Sequence, residues 1–140
     1  MRTRNEKGFT LVEILIVVVI LGILAAIVIP QFSQAGDEAR ANSLAGNLQS
    51  MRSQISLYHV QQGVWPPVAD ADFSTEMTTR NATTGYGPYL QSIPVNPFTG
   101  GNVIGTDWDY SAADGSIYAG GLTTEQEDLV SANCVRPGAE

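Results

Sequence analysis

Side-chain catalysis needs groups that trade protons or attack electrophiles, and this 140-residue chain offers few of them, with His59 its only histidine and Cys134 its only cysteine. A Ser-His-Asp or Cys-His arrangement would have to grow around one of these two residues with no supporting motif. His59 therefore reads as a helix-surface residue and Cys134 as a free thiol in a tail. A single cysteine also excludes an intrachain disulfide and any zinc site built from several thiolates. Gly100-Gly101 and Gly120-Gly121 lack the spaced glycines, lysine and helix start of a phosphate cradle. Asp107, Asp109 and Asp114 put hard oxygens near a turn, the donor type calcium prefers, but their spacing follows no recognised calcium loop, and aspartate beside glycine is a common turn former. Asn81-Ala82-Thr83 is a glycosylation sequon by pattern alone. The chain is not expected to be an enzyme.

The strongest chemical demand is made by Glu13. It lies near the start of the run from Phe9 to Ile29, 21 residues broken only by Thr10, Glu13 and Gly22. As a helix this run is about 30 Å long, the thickness of a bilayer's hydrocarbon core. A carboxylate in such a segment costs roughly 2.5 to 3.5 kcal/mol on insertion scales and calls for a partner or a function. A cleaved secretory signal, cut near Ala25-Ala26, is the competing reading. The length of the run and the presence of Glu13 argue against it. Arg2, Arg4 and Lys7 precede the run and no basic residue follows until Arg40, which leaves Met1 to Gly8 in the cytoplasm and the rest outside. Beyond Gly8 there are 4 basic and 13 acidic side chains, and such an acidic surface repels phosphate backbones, so no nucleic-acid partner is expected.

Gly8-Phe9-Thr10-Leu11-Val12-Glu13, followed by an Ile/Leu/Val/Ala run to Pro30, closely resembles the N-terminus of type IV pilins and type II secretion pseudopilins. The resemblance implies that a membrane prepilin peptidase cuts between Gly8 and Phe9 and methylates the new amine on Phe9. It also implies that this amine pairs with the Glu13 carboxylate of another subunit during filament assembly. Each charge then answers the other's burial, and a register error strands both. Pro30 matches the family's proline at the same distance from the mature N-terminus. Major secretion pseudopilins bind calcium in a C-terminal loop, so the resemblance makes calcium the one cofactor candidate, through Asp107, Asp109 and Asp114.

The elements that must position these residues follow from periodicity. Leu44, Leu48, Met51, Ile55 and Tyr58 recur at spacings of 4, 3, 4 and 3 and line one face of an amphipathic helix. Gly63 and Trp65-Pro66-Pro67 end that helix near Gln62. A single helix from about Thr10 to Gln62 would be about 80 Å long. Pro30, with Gly22 and Gly36, predicts bending or local melting between residues 22 and 36. Residues 68–84 read as a loop with a short helix around 72–80, and the prolines of 87–100 fix an extended path anchored by Tyr89, Leu90, Ile93 and Phe98. Asp107 to Tyr110 and Ser116 to Tyr118 flank Asp114-Gly115 as a β-hairpin. A short helix within 122–130, capped at Thr123 or Thr124, and a loose tail from Ala132 to Glu140 complete the chain.

The expected fold is α+β and pilin-like: a long N-terminal helix, half apolar and membrane-spanning, half amphipathic, packed on a small antiparallel sheet. The expected divisions are a basic leader (1–8), a transmembrane and filament-core helix (9–30), an amphipathic helix (31–67), loop and sheet (68–121) and an acidic tail (122–140). By resemblance the chain is a structural subunit of a type II secretion-like pseudopilus. Its implied partners are the peptidase and methyltransferase, copies of itself and related subunits, and an inner-membrane platform with a cytoplasmic ATPase. Its implied place is the bacterial inner membrane and then a periplasmic or surface filament. A type IV pilin of a surface fibre is one alternative, against which the lone cysteine counts, and a non-polymerising anchored periplasmic binding domain is the other.

Overall fold

The computed structural model describes residues 8–137, apart from the side chains of residues 30–33. Most of the expected leader, residues 1–7, and the end of the tail, residues 138–140, lie outside the described residues. The chain forms two compact units, Met1–Gly36 and Asp37–Glu140.

Helix α1, Leu11–Gln62, runs through the division between them. In the first unit its large apolar side chains from Leu11 to Ile29 are all exposed. An 18-residue window there has a mean hydropathy of 3.3, which makes α1 long and apolar enough to cross a membrane. The backbone stays helical through Gly22, Pro30 and Gly36, which corrects the expectation of local melting. A proline removes a single donor from the ladder, and the helix continues without a break on both sides of it, from Leu11 to Gln62. The helix ends at Gln62 as expected, where Gly63 takes φ +76 and its N–H donates to the His59 carbonyl at 2.9 Å.

The second unit is organised around the α1 stripe. Leu44, Leu48, Met51, Ile55 and Tyr58 are all buried. Helix α2, Asp70–Thr78, adds Phe73 and Met77 to the same core. Strands β1, Trp108–Tyr110, and β2, Ile117–Ala119, pair antiparallel with Trp108 opposite Ala119 and Tyr110 opposite Ile117. Their alternation sends Trp108, Tyr110, Ile117 and Ala119 inward, as the period of two requires. Helix α3, Thr124–Leu129, begins at a capping box in which Thr123 and Gln126 satisfy each other's backbone N–H.

A two-stranded ribbon does not stand alone, and polar side chains tie this one to its surroundings. Asn96, fully buried, donates to the Asp107 and Gly120 carbonyls and accepts from the Phe98 N–H at 3.0 Å. One amide thus fastens the proline-rich segment to the end of each strand. Trp108 Nε1 donates to the Pro94 carbonyl and Tyr110 Oη to the Pro66 carbonyl, both at 2.9 Å.

Two expectations about single residues are corrected. The tail is not loose as far as it is described. Cys134 is 3% exposed within the core, its carbonyl accepts from the Ala119 N–H, Arg52 donates to the Asn133 carbonyl, and Arg136 pairs with Asp109 at 2.7 Å. Burying a small apolar thiol and closing an otherwise open strand edge outweigh the polar character of the segment. His59 is half-buried and stacks on Trp65, with centroids 3.8 Å apart and planes within 9°. Trp65 in turn covers Gly115, at φ +72, where an added Cβ would lie 2.3 Å from the indole. The turn glycine is therefore required by close approach as well as by conformation.

Burial holds the Tyr110 phenol far above its ordinary value, and burial followed by the nearby Glu76 carboxylate raises Tyr58. Both groups release their protons at lower pH in the unfolded chain than in the folded one. Their contribution to stability is thus complete below the ordinary phenol value of 10.0 and is lost as pH rises above it. Denaturation midpoints should be flat from neutrality to about pH 9.5 and fall steeply beyond pH 10, less steeply in Tyr110→Phe, as followed by circular dichroism.

Candidate functional site

The start of α1 brings the sequence-predicted residues together. Gly8 and Phe9 are exposed and precede the helix. Among the described residues, nothing lies within 4 Å of where a Gly8 side chain would be. Thr10 is the N-cap, with its hydroxyl accepting from the Glu13 N–H at 3.2 Å. Glu13 reaches back so that one carboxylate oxygen, Oε2, accepts from both the Thr10 N–H and the Thr10 hydroxyl, each at 2.8 Å. This is a reciprocal capping box, and it satisfies donors that a helix otherwise leaves bare at its start.

The arrangement explains why a carboxylate can stand at the head of so apolar a helix. Its charge lies in the first turn, where the helix dipole favours an anion. Among the described residues, both hydrogen bonds to the carboxylate fall on Oε2 and none on Oε1. Thr10 was not among the residues singled out by composition or hydropathy. The signal that finds it is the Thr-x-x-Glu spacing of Thr10-Leu11-Val12-Glu13 immediately before the apolar run.

The three aspartates named as calcium candidates are not brought together. Asp107 is buried, with Oδ2 accepting from the Val103 N–H at 2.9 Å. Asp109 is paired with Arg136. Asp114 Oδ1 accepts from the Ser116 N–H and hydroxyl inside the hairpin turn, and the Ser116 hydroxyl and then its N–H hold the carboxyl below the usual range. Each serves a different local purpose, and no group of three or more metal-binding side chains occurs among the described residues.

The N-terminal segment matches the family described as the prokaryotic N-terminal methylation motif over residues 3–29. Across a longer stretch the chain is 32% identical to the type II secretion system core protein G of Pseudomonas aeruginosa, over 105 residues that make up 70% of this chain and 72% of that one. The core protein G of Vibrio cholerae is 28% identical over 113 residues, 78% of this chain and 73% of its own length. A fimbrial protein of Neisseria meningitidis is 31% identical over 90 residues, and the chain spans only 50% of that protein. No solved structure matches. A capping box carrying an acid at the head of an exposed apolar helix, an α+β domain on the same helix, and a likeness that extends well beyond the N-terminal motif converge on one assignment: the chain belongs to the family of type II secretion system core protein G, the pseudopilins.

Proposed function

We propose that the chain is made as a membrane-anchored precursor, cut between Gly8 and Phe9, methylated on the Phe9 amine, and built into a short secretion pseudopilus through α1. The role is structural and not enzymatic. The observation that carries the reading is Glu13, capped through Oε2 on a helix whose apolar surface is exposed over its first unit. Cutting gives Phe9 a positive amine, and the Glu13 carboxylate of a neighbouring subunit is its natural acceptor. The pairing of two charges removed from water decides register, because a shifted subunit leaves both uncompensated. The basic residues before Gly8, with none after it until Arg40, support an N-terminus in the cytoplasm and a second unit across the membrane. The partners are a prepilin peptidase and methyltransferase, copies of this chain and related subunits, and an inner-membrane platform driven by a cytoplasmic ATPase.

The test is the N-terminus itself. Expressed with a prepilin peptidase, the protein should begin at Phe9 carrying one methyl group by intact and peptide mass spectrometry. Without the peptidase it should remain uncut. A cut beyond Ala26, or none in either case, overturns the proposal and leaves a secreted or anchored domain. The likeness to a fimbrial protein supports a second reading, a surface fibre. Filaments sheared from the cell surface, with protein export unaffected when the chain is deleted, would favour it over the pseudopilus.

A further inference from the structure

The loop after α2 is ordered by its own hydrogen bonds. The Asn81 N–H donates to the Tyr86 carbonyl and the Gly85 N–H to the Asn81 carbonyl, both at 2.9 Å, while Asn81 Oδ1 accepts from the Thr83 and Thr84 N–H groups. Gln62, at the end of α1, reaches the Thr84 hydroxyl at 3.4 Å. This firm knob presents Arg80, exposed, and Tyr86, 45% exposed. Arg80 stands four residues after Glu76, the spacing of a helical ion pair. The pair is not made, because α2 ends at Thr78, Thr79 turns extended, and Glu76 accepts from the Tyr58 hydroxyl instead. Arg80 folds over the loop and donates through Nε to the Gly85 carbonyl. A guanidinium has five donors in a fork shaped for a carboxylate, and the other four have no partner among the described residues. The other arginines of the second unit are engaged: Arg40 with Asp37, Arg136 with Asp109, and Arg52 with the Ile117 and Asn133 carbonyls.

The second unit holds 4 arginines against 11 carboxylates between Asp37 and Pro137, so identical copies brought side by side repel one another unless cations stand at the contact. Helix α3 offers the counterpart. Glu125 and Asp128 lie three residues apart, both exposed and without a hydrogen bond or ion pair among the described residues, beside an exposed Leu129. We propose that the Arg80–Tyr86 knob of one subunit docks on α3 of a second copy, the guanidinium on Glu125 and Asp128 and the phenol against Leu129. This deepens the assembly reading and rests on it: the α1 contact carries polymerisation, and the knob fixes how the acidic domains of adjacent copies meet. Arginine and tyrosine are the residue types that dominate such contacts.

The experiment uses the full chain in native cells, reading the sedimentable polymer fraction and, separately, the melting temperature of the purified subunit. Arg80→Glu should lower the polymer fraction at least tenfold, as should Glu125→Arg with Asp128→Arg. Combining all three reverses both sides of the contact and should restore it, with every variant still showing a cooperative melting transition. A photo-crosslinking phenylalanine derivative at position 86, which leaves the charges intact, should capture residues 124–129 of a second copy only in polymers. Wild-type polymer levels for Arg80→Glu, failure of the combined variant to recover, or capture of a different surface or protein each overturns the docking. If the wild type forms no polymer, or does so regardless of Glu13, it is the assembly reading that has failed.

Discussion

Replacing Glu13 with valine is expected to leave cleavage behind Gly8 intact and to cut the polymerised fraction by at least about a hundredfold. Removing one partner of a desolvated ion pair costs roughly 3 to 5 kcal/mol, because the other charge stays buried and uncompensated, and about 1.4 kcal/mol is a factor of ten. The capping box provides a second role for the same side chain, worth about 0.5 to 2 kcal/mol by comparison with other N-caps. The two roles separate in Glu13→Gln, whose side-chain carbonyl can still accept from Thr10 while its charge is gone. If pairing dominates, glutamine should behave like valine in the sedimentable fraction. Assembly of the glutamine variant at wild-type levels would assign Glu13 to the cap and remove the charge argument.

The membrane stage makes the valine result sharper. A carboxylate in the hydrocarbon region costs roughly 2.5 to 3.5 kcal/mol, so valine should make the processed subunit a more comfortable resident of the bilayer. The variant should therefore accumulate as a membrane-bound chain with a methylated Phe9, seen by mass spectrometry of the membrane fraction. Loss of the protein, or loss of cleavage, would instead point to a defect before assembly. On the proposed assembly, Glu13 acts in two stages with opposite signs: a burden in the isolated subunit, and a gain once a neighbour's amine meets Oε1.

How much of this was legible depends on whether the information was local. The α1 stripe, its end at Gly63 and the Asp114-Gly115 hairpin follow from periodicity and turn chemistry within short windows, and the structure has them. The Thr10–Glu13 cap was equally local, in a four-residue spacing, but was masked by the hydropathy of the run that follows. The tail was not legible. Ser131 to Pro137 has no periodicity, and what orders it comes from afar: Arg52 in α1, Ala119 in β2 and Asp109 in β1. His59 is a different case: its stacking partner Trp65 is close in sequence, but the helix end at Gln62 and the turn at Gly63 lie between them, so helical periodicity does not predict the contact. The aspartates near the hairpin shared a neighbourhood in sequence, yet each takes a different partner: Asp107, just before β1, the Val103 N–H; Asp109, in β1, the Arg136 guanidinium; and Asp114, in the turn, Ser116.

Trp108→Ala should lower the stability of the second unit by about 3 to 5 kcal/mol, the range for deleting a large buried aromatic. Trp108 is fully buried and joins three parts of the unit: its ring lies in the core with the α1 stripe, its backbone pairs with Ala119 across the hairpin, and its indole N–H holds the Pro94 carbonyl of the proline-rich segment. Truncation opens a cavity and strands that carbonyl, and the two losses add. For a unit of this size about 1 kcal/mol shifts the midpoint by roughly 4 to 8 °C, so the melting temperature should fall by at least about 12 °C in a thermal scan. Trp108→Phe separates the contributions, retaining most of the packing and losing only the hydrogen bond, at about 1 to 3 kcal/mol. If phenylalanine were as damaging as alanine, the bond to Pro94, and not the volume of the indole, would be what fastens the sheet to the segment before it. Small domains are stable by only about 5 to 15 kcal/mol, so the alanine variant should also be the one that proteases remove before assembly can be measured. Steady-state subunit levels must therefore be read beside the polymer fraction, and the loss of Trp108 should appear in the former, as the loss of Glu13 should appear in the latter.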